Sequence, residues 1–158
     1  MRYLCLLLFF SISNICFPQV VIIDSLRQLS LELSGIERAK VLNKLSEAVV
    51  YTDPSEALKV GQEAFDLAED LKNDAEKYEA LRNIGYANGY TGNFHESIKN
   101  MEEGLVYYRS VKDSVNIAKA LSDIGYLNIA LSDISTGIEY YEEALDLYKK
   151  SIVEVAGK

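Results

Sequence analysis

The stretch NIGYANGYTGN, residues 83 to 93, carries Gly85, Gly89 and Gly92 with Tyr86 and Tyr90 between them. Glycines this dense have two physical uses: a loop wrapped around a phosphate, or a place where two helices meet backbone to backbone. A phosphate loop needs a preceding strand and a Gly-Lys-Ser/Thr ending, and neither accompanies these residues. A glycine within a helix costs about 1 kcal/mol against alanine, so it needs a compensating contact. The stretch therefore marks close helix packing.

Working outward, the same phrase returns. EALRNIGYAN (79–88) aligns with KALSDIGYLN (119–128), where Ala80, Leu81, Ile84, Gly85, Tyr86 and Asn88 recur as Ala120, Leu121, Ile124, Gly125, Tyr126 and Asn128, each 40 residues on. The register persists, with Ile98, Glu102, Glu103, Leu105 and Tyr108 matching Ile138, Glu142, Glu143, Leu145 and Tyr148. Upstream, EALKVGQEAFDLA (56–68) aligns with ESIKNMEEGLVYY (96–108) at the same offset. Leu45 precedes Ile84 by 39, so the first copy has a turn one residue shorter. Three repeats result, at about 38–72, 78–112 and 118–152, within a domain spanning 38–158.

Each repeat predicts two helices, because apolar residues recur at spacings of three and four: Leu42, Leu45 and Val49; Leu81, Ile84 and Gly85; Ile117, Leu121, Ile124 and Gly125. The second helices open at Asp53-Pro54-Ser55-Glu56, at Asn93 with Glu96, and at Asp133 with Thr136, all cap signatures. They run to roughly Leu71, Val111 and Ile152. A short amphipathic piece, Asp24 to Leu33, predicts a capping helix within residues 20–37.

This pattern resembles the tetratricopeptide repeat (TPR) family over about 115 residues. The family's large apolar position holds Leu45, Ile84 and Ile124. Its small positions hold Ser46, Gly85 and Gly125, then Ala57, Ser97 and Gly137, then Ala64, Gly104 and Ala144, and Gly92 takes the turn glycine. Departures are Val49, Asn88 and Asn128 where tyrosine is usual, and a missing proline at each repeat's end. The period of 40 exceeds the family's usual 34, which predicts lengthened second helices.

The resemblance implies an all-α, right-handed superhelical solenoid of antiparallel helical hairpins. It also implies a concave groove lined by the first helices, and so a function in binding protein or peptide without catalysis. Carried over position by position, that groove holds Asn43, Glu47, Arg82, Asn83, Tyr86, Tyr90, Lys119 and Tyr126, with Lys40, Tyr51, Glu79, Ser122, Asp123 and Ile129 beside them. Arg82, Tyr86 and Tyr90 form an i, i+4, i+8 stripe. Gly85 would lie opposite Ser97, and Gly125 opposite Gly137. Some family members clamp a C-terminal carboxylate at these positions, but Glu47 and Asp123 would repel one here.

Composition agrees with a packed domain. Of 158 residues nearly half are apolar, two are proline and eleven are tyrosine. A net charge of −8 argues against nucleic acid, whose phosphates need a basic patch. The single histidine, His95, sits in the first turn of a helix with no partner for catalysis, and the pairs Glu102–Glu103 and Glu142–Glu143 recur as a solvated face. No cofactor or metal is expected.

At the N-terminus, Arg2 and the apolar run Tyr3–Phe17 describe a secretory signal peptide over about 1–19. The other reading is an uncleaved anchor reaching Ile23, the one case in which a membrane is expected. Cleavage would remove both cysteines, Cys5 and Cys16, and place a thiol-free chain in the periplasm or outside the cell. The alternative function is the N-terminal sensory module of a longer bacterial signalling protein. The last helix carries an apolar row from Ile134 to Ile152, which predicts self-association or further repeats.

Overall fold

The computed structural model describes residues 19–156, so the expected secretory segment lies outside the described residues up to residue 18. Among the described residues the chain forms seven helices: α1 (19–32), α2 (Gly35–Val49), α3 (Pro54–Asp70), α4 (Asp74–Tyr90), α5 (Phe94–Ser110), α6 (Ser114–Ala130) and α7 (Ile134–Ala156). Consecutive helices pack on one another, and the fold is the expected all-α right-handed solenoid of antiparallel hairpins. No helix among the described residues is long and apolar enough to cross a membrane.

The 40-residue period has a simple origin. Helices α3, α4, α5 and α6 are each 17 residues long, so the length is shared by both helices of a repeat and not loaded into the second. Three-residue linkers complete the period. In four of them a residue with positive φ ends the helix: Lys72 (55°), Gly92 (84°), Lys112 (58°) and Ser132 (70°). The next amide then reaches the carbonyl five residues back, Asn73 to Ala68 (2.9 Å), Asn93 to Asn88 (2.8 Å), Asp113 to Tyr108 (3.0 Å) and Asp133 to Asn128 (2.9 Å). This is the closure that satisfies a helix's last carbonyls. In the first hairpin the counterpart of Gly92 is missing, and Asp53 N–H reaches only four residues back, to Val49 (2.8 Å). Asp53, Asn73, Asp113 and Asp133 cap the helices they precede. Asn93 does not, because its side-chain amide turns back to Thr91 Oγ1.

Within each hairpin a pair of small residues sets the approach. In the first, Ser46 donates its hydroxyl to the Ala57 carbonyl at 2.8 Å. The second reverses the arrangement, with Ser97 donating to the Gly85 carbonyl at 2.6 Å. The third has glycine on both sides. A Cβ on Gly125 would stand 3.0 Å from the Gly137 carbonyl oxygen, and one on Gly137 only 2.8 Å from that of Gly125. Of the glycines in the opening stretch, Gly85 and Gly89 are packing residues, and Gly92 serves the turn.

The core runs along the array. Met101, Leu105, Leu121, Ile124, Leu127 and Ala144 fill its C-terminal half; Leu45, Val49, Val50, Ala57 and Ala87 fill its N-terminal half, where Ile23 and Leu26 of α1 join them. Arg27 fixes α1 further by gripping the Glu56 carboxylate with two nitrogens at 2.8–3.0 Å.

Candidate functional site

The inward faces of α2, α4 and α6 form a shared wall, and the sequence puts tyrosine on it repeatedly. Tyr51 follows α2, Tyr86 and Tyr90 lie on α4, and Tyr126 lies on α6. Four-residue spacing on a helix places Tyr86 and Tyr90 on one side. Tyr51, Tyr90 and Tyr126 remain 69%, 54% and 63% exposed, which is unusual for aromatic rings in a folded domain. The Tyr51 and Tyr90 rings meet edge to face, 5.1 Å between centres and 78° between planes.

These rings border a cavity of about 460 Å³, with Phe94, Met101 and Leu127 among its apolar lining and Asp123 as its single charged side chain. A second hollow of about 300 Å³ adjoins it, sharing Tyr51, Tyr86 and Asp123 and adding Glu47, Arg82, Lys119 and Tyr148. A third, lined by Lys40, Asn43, Lys44, Glu47, Glu76 and Glu79 with Tyr107 and Tyr108, continues along the same wall.

The expected site residues fall into two groups. Tyr86, Tyr90 and Tyr126 line the aromatic cavity, and Glu47, Arg82 and Lys119 the hollow beside it. Asn43, at the edge of the third hollow, and Asn83 are 3% and 1% exposed and tie the repeats together. Asn83 donates to the Asn43 carbonyl (3.0 Å), and Asn43 donates to the Glu76 carbonyl (3.0 Å) and carboxylate (2.9 Å). An amide at that depth offers nothing to a ligand on the surface. Arg82 is also committed: it pairs with Glu79, and its guanidinium stands 5.8 Å from the Tyr86 ring centre.

Tyr86 bridges the second and third repeats, donating its hydroxyl to Asp123 Oδ2 at 2.6 Å. Burial, helped by the Asp123 charge, holds the Tyr86 phenol well above its usual range. Burial also raises the Asp123 carboxyl, while the Tyr86 bond, Arg82 and Lys119 oppose the rise. Among the described residues no lysine or arginine closes an ion pair with Asp123.

Phe94 and Tyr148 were not expected at the groove. Phe94 opens a second helix, where the capping pattern of Asn93 drew the reading toward a helix start. Tyr148 sits at a position whose counterpart Tyr108 is buried, yet on α7 it is 40% exposed and borders the groove. Tyr141 on the same helix is likewise exposed, whereas Tyr108 is buried.

No family model matches the chain and no curated protein is similar enough to count as a match. Among solved structures it resembles the TPR domain of Arabidopsis FLU, with a TM-score of 0.66 at 19% identity. The likeness covers 71% of this chain and 95% of that one. At that identity the shared property is the fold: the chain is built as a TPR-like helical array, as its repeats indicated.

Proposed function

We propose that this protein is a non-catalytic scaffold that holds an extended stretch of a protein partner in its concave groove. A helical repeat array of this fold supports a role in protein interaction in general. The observation that carries the finer reading is the aromatic cavity, with three tyrosines mostly exposed around a hollow of about 460 Å³. Aromatic side chains in a concave, partly desolvated setting are the usual anchors of protein interfaces. The secretory character of the N-terminus favours a partner in the cell envelope.

The test is a Tyr90→Ala, Tyr126→Ala double substitution. Both rings are exposed, so the variant should keep its fold, and helical circular dichroism checks this. Partners captured from an envelope extract should then be lost. A folded variant that retains them at equal yield would move the binding site to another face. An input module of a longer signalling protein would use the same groove. A reading frame running past Lys158 into a membrane span and an output domain would select that use.

A further inference from the structure

The aromatic cavity has a more particular chemistry than a greasy slot. We propose that it seats a basic side chain, lysine or arginine, of the bound segment. The inference rests on the groove reading above and names its anchor.

Three observations converge. First, the faces of aromatic rings carry negative potential and attract cations within about 6 Å. Tyr51 and Tyr90, packed edge to face, form one side of the cavity, and Tyr86, Tyr126 and Phe94 line the remainder. Second, Asp123 is the single formal charge lining the cavity, and it is short of a counterion. It accepts one bond, from the Tyr86 hydroxyl, and Arg82 and Lys119, which line the adjoining hollow with it, make no ion pair to it. Of these, Arg82 is held by Glu79, and Lys119 is exposed. Third, the protein as a whole carries a charge of −8, which draws a basic segment toward it.

The competing anchors fare worse on the same geometry. A leucine or phenylalanine filling the cavity would strip water from the Asp123 carboxylate and give it no countercharge, which is costly. A glutamate would meet that carboxylate as a like charge. A lysine or arginine stem packs against the rings while its head meets the carboxylate, so each part of the side chain has a partner.

An array of capped nonapeptides tests this, with randomised flanks and the central residue fixed as lysine, arginine, leucine or glutamate. The full chain should be retained on the lysine and arginine sets roughly 3- to 30-fold more than on the leucine set, the range expected of cation–π and ionic anchoring together. Asp123→Asn preserves an acceptor for Tyr86 and should erase that preference without lowering the melting temperature. Equal retention on leucine, or an unchanged preference in Asp123→Asn, overturns the basic anchor while the groove stands. If Tyr90→Ala, Tyr126→Ala leaves retention on every set unchanged, the groove reading falls along with it.

Discussion

Replacing Gly137 with alanine adds one methyl group at the point where α6 and α7 lie closest. That carbon would stand 2.5 Å from Ile129 Cγ1 and 2.8 Å from the Gly125 carbonyl oxygen. Carbon atoms rest at about 3.5–4.0 Å, so the helices must separate by roughly an ångström or Ile129 must leave its rotamer. The carbonyl belongs to a helix and cannot swing aside. Overpacking of this kind costs about 1–3 kcal/mol, and the gain of up to about 1 kcal/mol in helix propensity offsets part of it. A net loss of about 1–2 kcal/mol should lower Tm by about 2–8 °C for a chain of this size. Gly104→Ala is the control. Its Cβ would meet only Tyr108 Cε2 at 3.5 Å, an ordinary contact, so propensity alone should raise Tm by about 1–4 °C. Thermal melts of wild type and both variants, followed by circular dichroism, decide the matter. A Gly137→Ala chain melting at or above wild type, or a Gly104→Ala chain falling as far, would refute the close-approach account.

Asp123→Asn should be at least as stable as wild type at neutral pH. A carboxyl raised by burial penalises the folded state above its pKa, and the penalty lifts as pH falls through the raised range; the advantage of the variant in urea melts should therefore shrink between pH 7 and pH 4. At the alkaline end, burial and the nearby Glu79 push Tyr108 up to about 12, and Tyr86 is raised further. Unfolded phenols ionise first, near 10, so stability should hold below that pH and fall as it climbs toward 12, with ultraviolet titration showing two late tyrosines. Ile134, Ile138, Tyr141, Leu145 and Tyr148 on α7 are 38–58% exposed, so the chain should bind an apolar dye. Leu145→Lys should cut that signal by about half without shifting the melt, since surface changes stay within about 0.5 kcal/mol. An unchanged signal would place the dye elsewhere.

The repeat was legible because its small residues recur in register. Only a strict 40-residue match could put Gly85 and Gly125 on equivalent turns, and steric necessity at the hairpin contact then follows. Helix starts were legible both at Asp53, whose side chain bonds its own helix, and at Asn93, where the start holds although the side chain turns to Thr91 instead. The tyrosines exposed on the inner wall were legible in the sequence, and the burial of its asparagines was not. Whether an amide at the inner wall faces solvent or the neighbouring repeat depends on the angle between repeats, which no single helix encodes. Tyr148 escaped for a related reason. The same repeat position is buried in Tyr108, where α6 follows, but among the described residues no helix packs over α7.

The ties between repeats are unequal, and that gives the array a stiff joint and a compliant one. Repeats one and two are pinned by amides of Asn43 and Asn83 that water barely reaches. Repeats two and three are pinned on their groove side by the Tyr86–Asp123 bond, at the rim of an open hollow. A guest that engages Asp123 trades against that bond, so the pitch of the third repeat should change on loading while that of the first is kept. Spin-label distances between α2 and α4 should stay fixed and those between α4 and α6 should shift, and equal shifts at both would contradict this. The groove then behaves less like a mould than like calipers, with one jaw fixed and the other set by what it grips.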